Sequence, residues 1–269
     1  MSDPETRAVA GPAITCAGLG KVFGTGAQAT HAVDPLDLSF APGSMTALVG
    51  PSGCGKSTVL RMIAGLEPPS AGSIDLGGQS PAQMQREGAM AMAFQDASLL
   101  PWRSVRGNIA LARRLARQPA DPAAVDAMIA RVGLQGFEEA RPAELSGGMR
   151  QRVAIARCLI TAPLVLLLDE PFGAVDELTR ARLNVELPPL WKAAGTTCLM
   201  VTHSVREAVA LADRVIVFTS RPARVMADVA IPQEAKSEDA ARRALVDRVS
   251  QALFDGWDAA GAALGKAAE

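Results

Sequence analysis

The sequence predicts an α/β fold in which short buried strands alternate with helices around one sheet. Three observations support this: apolar runs recur along the chain, a helical pattern follows each run, and turn residues separate them. The strand and helix pairs are expected at 45–49 and 56–66, at 164–168 and 177–186, and at 198–202 and 205–212. With 269 residues, 49% of them hydrophobic, the chain can bury a large core.

The first part of the chain has a different pattern. Residues 14–23 and 36–40, followed by the turn Pro42-Gly43-Ser44, predict short antiparallel strands, which residues 73–76 are expected to join. Residues 1–12 carry acidic side chains and no apolar run, so we expect a flexible tail there.

Between residues 97 and 145 the strand signals are absent and helical patterns take over. Asp121-Pro122 is typical of a cap and first-turn proline, so we expect a helical subdomain at about 97–150. One or two strands at 224–231 and a helix with Leu245, Val249 and Leu253 at helical spacing follow. The expected division is therefore a tail at 1–12, a main domain at 13–235 and a helical tail at 236–269.

Charge and composition exclude several classes of protein. Lys plus Arg total 27 against 28 for Asp plus Glu, a net charge of -1, so no general field favours nucleic acid. The four cysteines form no CxxC pair, which argues against a zinc ribbon and a disulfide framework. The most apolar stretch, 153–175, is interrupted by Arg157, Pro163 and Asp169, and 1–12 lacks the layout of a secretory signal. We expect a cytoplasmic protein without a membrane span.

A glycine-rich segment between a predicted strand and a predicted helix fits the pattern GxxxxGK[ST]. In this pattern the backbone amides and the helix start bind phosphate oxygens, Lys56 places a cation against the outer phosphates and the Ser57 hydroxyl binds Mg²⁺. The alternative is a turn that only caps a helix. The predicted phosphate loop consists of Gly50, Pro51, Ser52, Gly53, Cys54, Gly55, Lys56, Ser57 and Thr58.

Polar residues follow three predicted strands where α/β proteins bind ligands, at the carboxyl edge of the sheet. Asp169-Glu170 follows the strand at 164–168, His203 follows 198–202 and Gln95 follows 91–94. Beside a phosphate loop, Asp169 is expected to hold Mg²⁺ and Glu170 to activate water. Taken alone, the acids could be solvated, the histidine satisfied by a neighbour and the glutamine a surface residue.

Leu145-Ser146-Gly147-Gly148-Met149-Arg150-Gln151-Arg152 resembles the signature motif of ABC-type ATPases. Ser146 and the two glycines are expected to open a helix at 149–160, and their amides and hydroxyl can bind a second anion. A simple capped helix is the alternative. The resemblance extends from about residue 14 to residue 231 and implies the ABC nucleotide-binding domain of the P-loop NTPases: a RecA-like mixed sheet, an antiparallel β subdomain and a helical subdomain.

The resemblance also implies roles for individual residues. Gln95 resembles the Q-loop glutamine, which binds Mg²⁺, Asp176 the D-loop residue and His203 the switch histidine. Phe23 resembles the aromatic residue that stacks on adenine, although it could equally be a core side chain of its strand. Lys56, Gln95, Glu170 and His203 are the implied catalytic residues. The implied ligands are ATP and Mg²⁺, and in the family two copies pair head to tail so that Ser146, Gly147 and Gly148 of one face the phosphate loop of the other.

Residues 94–103 and 169–176 resemble the narrower group of nitrate, sulfonate and taurine importers. In that group the segment after the Q-loop lines a groove for a helix of the membrane permease, so Leu99, Leu100 and Trp102 are implied contacts, unless they cover the core of their own subdomain. The resemblance also implies a periplasmic solute-binding protein as an indirect partner, and a place on the cytoplasmic face of the plasma membrane.

Two other functions remain open. One is an ABC ATPase without a permease, although residues 57–145 contain neither heptads nor CxxC. The other is import of a pyrimidine thiamine precursor. One local departure from the family is Pro188-Pro189, which predicts that the helix after Asp176 stops near Glu186 or restarts after a kink.

Overall fold

The computed structural model describes residues 10–173 and 175–266. Its strands are β1 (Ile14–Phe23), β2 (Thr30–Phe40), β3 (Met45–Val49), β4 (Ala71–Leu76), β5 (Met90–Ala93), β6 (Val165–Asp169), β7 (Thr197–Val201), β8 (Arg214–Phe218) and β9 (Val225–Ala230). Its helices are α1 (Lys56–Ile63), α2 (Pro81–Arg86), α3 (Val105–Leu115), α4 (Pro122–Arg131), α5 (Gly147–Leu159), α6 (Glu177–Glu186), α7 (Pro188–Lys192), α8 (Val205–Leu211), α9 (Gln233–Ser237) and α10 (Asp239–Lys266).

The larger sheet has the strand order β5-β6-β7-β3-β8-β9. Its first five strands are parallel and β9 runs antiparallel to β8. Strands β3, β6 and β7 are buried at every position because helices or the smaller sheet cover both faces. The α/β sheet predicted from the alternation of strands and helices is therefore confirmed.

The smaller sheet is antiparallel, with the order β2-β1-β4, as expected. Together with α1 it covers one face of the larger sheet, where Leu48, Leu167 and Leu199 join its apolar side chains. Helices α5, α8 and α10 cover the other face. The carboxyl ends of the parallel strands are left free to form a site.

Several boundaries differ from the sequence prediction. Helix α1 ends at Ile63 rather than at residue 66, because Gly65 adopts a left-handed φ of 69°. Helix α5 begins at Gly147 rather than at residue 149, because the Ser146 hydroxyl already caps it by accepting from the Met149 amide. Strand β8 was not predicted. The interruption at Pro188 is confirmed: α6 stops at Glu186 and the short α7 begins at the proline.

Both ends of the described chain pack on the domain. The Gly11 amide donates to the Gly195 carbonyl over 2.8 Å, and the Pro12 carbonyl accepts from the Thr197 hydroxyl over 2.8 Å, so residues 10–12 are attached to the sheet. The rest of the expected flexible tail, 1–9, lies outside the described residues. Helix α10, which fills most of the expected tail at 236–269, buries Val249 completely against the main core; residues 267–269 lie outside the described part.

No helix in residues 10–173 and 175–266 has the length and apolarity needed to cross a membrane.

Candidate active site

The loop between β3 and α1 has the geometry of a phosphate cradle. Gly53 and Gly55 adopt positive φ angles of 72° and 118°, which curl the backbone before the helix begins. A Cβ at Gly55 would lie 2.6 Å from the Ala32 carbonyl oxygen, so this position accepts only glycine. Lys56 is buried, and its ammonium donates to the carbonyls of Gly50 and Pro51 over 2.9 and 2.8 Å. The loop therefore holds the Lys56 ammonium against two of its own carbonyl oxygens.

Ser57 and Asp169 meet although 112 positions separate them in the chain. The Ser57 hydroxyl donates to Asp169 Oδ1 over 2.7 Å, and Arg61 Nη2 lies 3.8 Å from Oδ2. A hydroxyl and a carboxylate are the hard oxygen donors that suit Mg²⁺, which usually takes its remaining ligands from phosphate and water. The described residues contain no cluster of three or more His, Cys, Asp and Glu suited to a metal.

Glu170 lies between Gln95 and His203. Its Oε2 atom is 3.3 Å from Gln95 Nε2 and 3.3 Å from His203 Nδ1. The three residues follow β5, β6 and β7, which are neighbours in the sheet, so their side chains converge at its carboxyl edge. Glu170 has a left-handed φ of 46°, and its amide donates to the Val201 carbonyl over 2.9 Å. A strained, fixed backbone of this kind is typical of functional positions.

A cavity of about 440 Å³ lies between the phosphate loop, Gln95 and Glu170, whereas His203 lines a neighbouring cavity with residues 50–52. Phe23 stands at its side with 41% of its surface exposed, so it is not a core side chain of β1. The Lys21 ammonium lies 4.9 Å from the centre of the Phe23 ring. The cavity is lined by Phe23, Thr30, Ala32, Ser52, Gly53, Gly55, Lys56, Ser57, Thr58, Gln95, Glu170 and Arg221.

The signature segment lies elsewhere on the same chain. Ser146 is exposed at the start of α5, and among the described residues neither it nor Gly147, Gly148 or Asp176 lines the cavity. A Cβ at Gly148 would lie 2.4 Å from Thr179 Cγ2, so a larger residue there fits only if the Thr179 side chain or the packing of α5 on α6 shifts.

Asp176 is the N-cap residue of α6, the helix that packs against α5 at Gly148. Its carboxylate accepts from the Thr179 amide over 3.0 Å and caps α6. This hydrogen bond lowers the pKa of Asp176, so the cap stays charged at neutral pH.

Sequence reasoning missed several residues of this site. The cavity is also lined by Arg221, Thr30 and Ala32. They lie far from the phosphate loop in the sequence, so no local sequence pattern indicates their position. Glu207, one turn into α8, accepts from the Thr202 hydroxyl on the loop that carries His203. The Glu207 side chain is buried, and the loss of hydration raises its pKa.

The remaining bonds of this loop involve Ser204. The Ser204 amide donates to the Thr202 hydroxyl over 3.0 Å, and the Glu207 amide donates to the Ser204 hydroxyl over 3.2 Å. The loop before α8 is therefore closed by three hydrogen bonds around the position of His203.

A parallel sheet with a phosphate loop after one strand and an Asp-Glu pair after another defines a P-loop ATPase. The comparison with known protein families narrows this class to a single family. The family model described as ABC transporter matches residues 33–173, and the chain belongs to this family. Its ATPase class, its fold and its ability to bind ATP follow from that membership.

Curated relatives cover most of the chain. It is 45% identical over 214 residues to the aliphatic sulfonates import ATP-binding protein SsuB of Cupriavidus pinatubonensis, covering 80% of this chain and 70% of the relative. It is 44% identical to the nitrate import ATP-binding protein NrtD of Synechococcus elongatus, covering 78% of each. The identity is 49% to the nitrate import ATP-binding protein NrtC of a Synechocystis strain, where the match covers 71% of this chain but only 29% of the relative.

Among solved structures, the chain resembles the ATP-binding cassette MJ0796 in a dimeric post-hydrolysis state bound to ADP and Pi. The TM-score is 0.73 at 25% identity, and the match covers 81% of this chain and 99% of the other. The similarity confirms the predicted cassette fold, and the structures compared are dimers.

Proposed function

We propose that the chain is the ATP-hydrolysing subunit of an importer for a nitrate- or sulfonate-type anion, working in pairs on a separate permease. The observation that carries the proposal is that Gln95 and Glu170 line one cavity with the phosphate loop, while His203 contacts the Glu170 carboxylate from the neighbouring strand end. The printed functions of the relatives, sulfonate and nitrate import, support the class of solute.

In this proposal the loop from Gly50 to Thr58 binds the phosphates of ATP. Lys56 exchanges the carbonyls of Gly50 and Pro51 for phosphate oxygens, at little cost because it is already desolvated and in place. Phe23 stacks on the base from the exposed side of the cavity.

Ser57, Asp169 and Gln95 are the proposed magnesium ligands. Ser57 and Asp169 already touch, and Gln95 lies on the neighbouring strand end, next to Glu170. When bound, Mg²⁺ would supply charge neutralisation for the phosphates. The protein itself sets the positions of the donor oxygens.

Glu170 is the proposed general base. Gln95 and His203 hold its carboxylate from two sides, which fixes the oxygen that would take the proton from the attacking water. His203 keeps half of its side chain exposed, so it can also contact the outer phosphate.

The separation of the signature segment from the cavity supports a head-to-tail pair. Among the described residues of one chain, the lining of the cavity does not include Ser146, Gly147, Gly148 or Asp176, and a second copy would bring them to it. The dimeric cassettes of similar fold support this arrangement.

The remaining parts of the proposal concern the membrane. A permease helix would dock near Leu99, Leu100 and Trp102, and of these Trp102 is 69% exposed whereas Leu99 packs partly on the core. The chain would then work on the cytoplasmic face of the membrane, with a periplasmic solute-binding protein as its indirect partner and with no nucleic acid.

The test is the rate of ATP hydrolysis with Glu170→Gln. The amide has the same shape but cannot accept the proton, so we expect a loss of about 10²- to 10⁴-fold in turnover while ATP still binds and traps a dimer. Glu234→Gln, an exposed glutamate on α9, is the matched control and should hydrolyse normally. Normal turnover in Glu170→Gln would show that another group is the base.

A further inference from the structure

Helix α8 begins with a sequence that normally forms a capping box. Ser204 is its N-cap residue and Glu207 follows three positions later, in the pattern S-x-x-E. In this motif the serine hydroxyl accepts from the amide of the glutamate, and the glutamate carboxylate accepts from the amide of the serine. The first of these hydrogen bonds is present, because the Glu207 amide donates to the Ser204 hydroxyl over 3.2 Å.

The second hydrogen bond of the motif is replaced by two others. The Ser204 amide donates to the Thr202 hydroxyl oxygen over 3.0 Å, and the Thr202 hydroxyl in turn donates to Glu207 Oε2. The Thr202 hydroxyl therefore lies between the amide and the carboxylate that meet directly in an ordinary capping box. Because Thr202 precedes His203 and Ser204 follows it, both neighbours of the histidine are tied to Glu207.

His203 depends on this backbone for its position. Its side chain is 52% exposed, and among the described residues its ring makes a hydrogen-bond contact only with Glu170, whose Oε2 lies 3.3 Å from Nδ1. A half-exposed ring with one polar contact can turn about its side-chain bonds. The backbone at 202–204 therefore sets where the ring can reach.

Glu207 is an expensive residue for a purely structural position. Only 5% of its surface is exposed, and its second carboxylate oxygen, Oε1, has no hydrogen-bond partner among the described residues. A buried acid with an unpartnered oxygen is destabilising, and an apolar side chain of similar size would avoid that cost. A buried polar group of this kind calls for a reason other than stability, such as a role in the function of the site.

The surroundings of Glu207 place it beside the nucleotide site and not in it. It shares a cavity with Ser204 and with Arg180 and Asn184 of α6, so it lies between α6 and the loop that carries His203. In the described part of the chain, the lining of the nucleotide cavity does not include Glu207. Any effect of Glu207 on hydrolysis therefore passes through a neighbouring residue.

We propose that Glu207 is a positioning residue for His203. Its carboxylate holds the Thr202 hydroxyl, and this contact fixes the backbone so that the histidine ring meets Glu170 and the outer phosphate. The inference rests on the proposed function, because it takes His203 as a group that contacts the phosphate. It adds that the loop needs an acceptor from α8 to present the ring correctly.

The first test compares the turnover and the ATP affinity of the full chain. Glu207→Ala leaves the Thr202 hydroxyl without its acceptor, so we expect kcat to fall about ten- to hundredfold, the effect of a misplaced group. The Kd for ATP should stay within about twofold of the wild type, since the phosphate loop is unchanged. Glu207→Gln keeps an oxygen that accepts from Thr202 and should retain most of the turnover. Normal turnover in Glu207→Ala, or an equally slow Glu207→Gln, would overturn the inference.

Thr202 provides a second pair of variants that leaves the acid in place. Thr202→Val has nearly the same shape but no hydroxyl, so kcat should fall as it does in Glu207→Ala. Thr202→Ser keeps the hydroxyl and should recover most of the lost turnover. Equal turnover in the valine and serine variants would show that the hydroxyl does not transmit the effect of Glu207.

A double-mutant cycle with His203 separates positioning from folding. In His203→Ala the loop has no ring to present, so adding Glu207→Ala should slow hydrolysis no further, although the thermal midpoint falls in both backgrounds. An equal fold-loss of kcat in both backgrounds would mean a structural role and would refute the proposal.

The matched control for stability is Met84→Ala. Met84 is 1% exposed on α2, so its truncation should lower the thermal midpoint without slowing hydrolysis measured well below that midpoint. If this control loses as much turnover as Glu207→Ala, the slow hydrolysis reflects instability and the inference fails.

His203→Ala alone distinguishes this inference from the proposed function. A slow His203→Ala with a fast Glu207→Ala refutes the positioning role and leaves the proposed function intact. A fast His203→Ala refutes the role of the histidine, and the positioning role with it. The proposed base is judged separately, by Glu170→Gln.

Discussion

Gly148 is the position where the signature segment is most sensitive to a single added methyl group. In Gly148→Ala the new Cβ would lie 2.4 Å from Thr179 Cγ2, whereas ordinary contact begins at 3.4 Å. Either the Thr179 side chain must turn away, or helices α5 and α6 must separate locally by the difference, 3.4 minus 2.4 Å, or 1.0 Å. Overpacking of this kind costs about 1–3 kcal/mol.

The cost should be visible in the thermal midpoint. Alanine is the better helix former and returns up to about 1 kcal/mol, so an overpacking cost of about 2–3 kcal/mol leaves a net loss of roughly 1–2 kcal/mol. For a chain of this size that lowers Tm by roughly 2–8 °C, which differential scanning calorimetry can resolve.

A second substitution tests the cause. Thr179→Ala removes the atom that clashes, and the next nearest atom, Thr179 Cβ, lies 3.8 Å from the new methyl group. The double variant should regain most of the lost midpoint, whereas Thr179→Ala alone should change it little. A wild-type midpoint in Gly148→Ala, or a double variant as unstable as the single, would refute the packing argument. If the double variant is stable but hydrolyses ATP slowly, the glycine is also needed by the nucleotide of the partner.

Two further predictions concern binding and pH. Phe23→Ala should raise the Kd for ATP about two- to tenfold, which corresponds to the loss of one aromatic stacking contact. Phe23→Trp should keep the wild-type Kd, and isothermal titration calorimetry measures both variants. An unchanged Kd in Phe23→Ala would show that this residue does not contact the base. Because burial raises the pKa of Glu207, the folded state favours the neutral carboxyl. The neutral carboxyl contributes its full stability below the pKa of the unfolded state. This stability is lost as the pH rises through the raised pKa of the folded state. Glu207→Gln should therefore gain stability over the wild type between pH 4 and pH 8, and a difference in unfolding free energy that stays constant over this range would contradict the argument.

The predictions that succeeded depend on local chemistry. The Asp121 carboxylate caps α4 by accepting from the Ala124 amide, and Pro188 ends α6, as the types of residue indicate. The antiparallel strands and the tight glycine-rich loop between β3 and α1 were predictable for the same reason, because turns and glycines act within a few residues.

The features that escaped prediction depend on distant parts of the chain. Strand β8, Arg214–Phe218, directly follows α8 without a long loop, so its apolar run was not separated from the helix before it. Arg221 reaches the cavity, and Arg61 approaches Asp169, only because the sheet brings their segments together. The pairing of Glu207 with Thr202 was equally hidden, since glutamate in a helix is usually exposed.

The two ends of the described chain differ in how safely they can carry a label. Gly11 and Pro12 are bonded to Gly195 and Thr197, at the start of β7 and so at the opposite edge of the sheet from the nucleotide cavity. Helix α10, by contrast, passes beside the phosphate loop: Ser250, Leu253 and Phe254 share a cavity with residues 50–52 and His203. A fluorophore or affinity handle for kinetic work therefore belongs before Gly11, whereas one carried on α10 would alter the turnover it is meant to report.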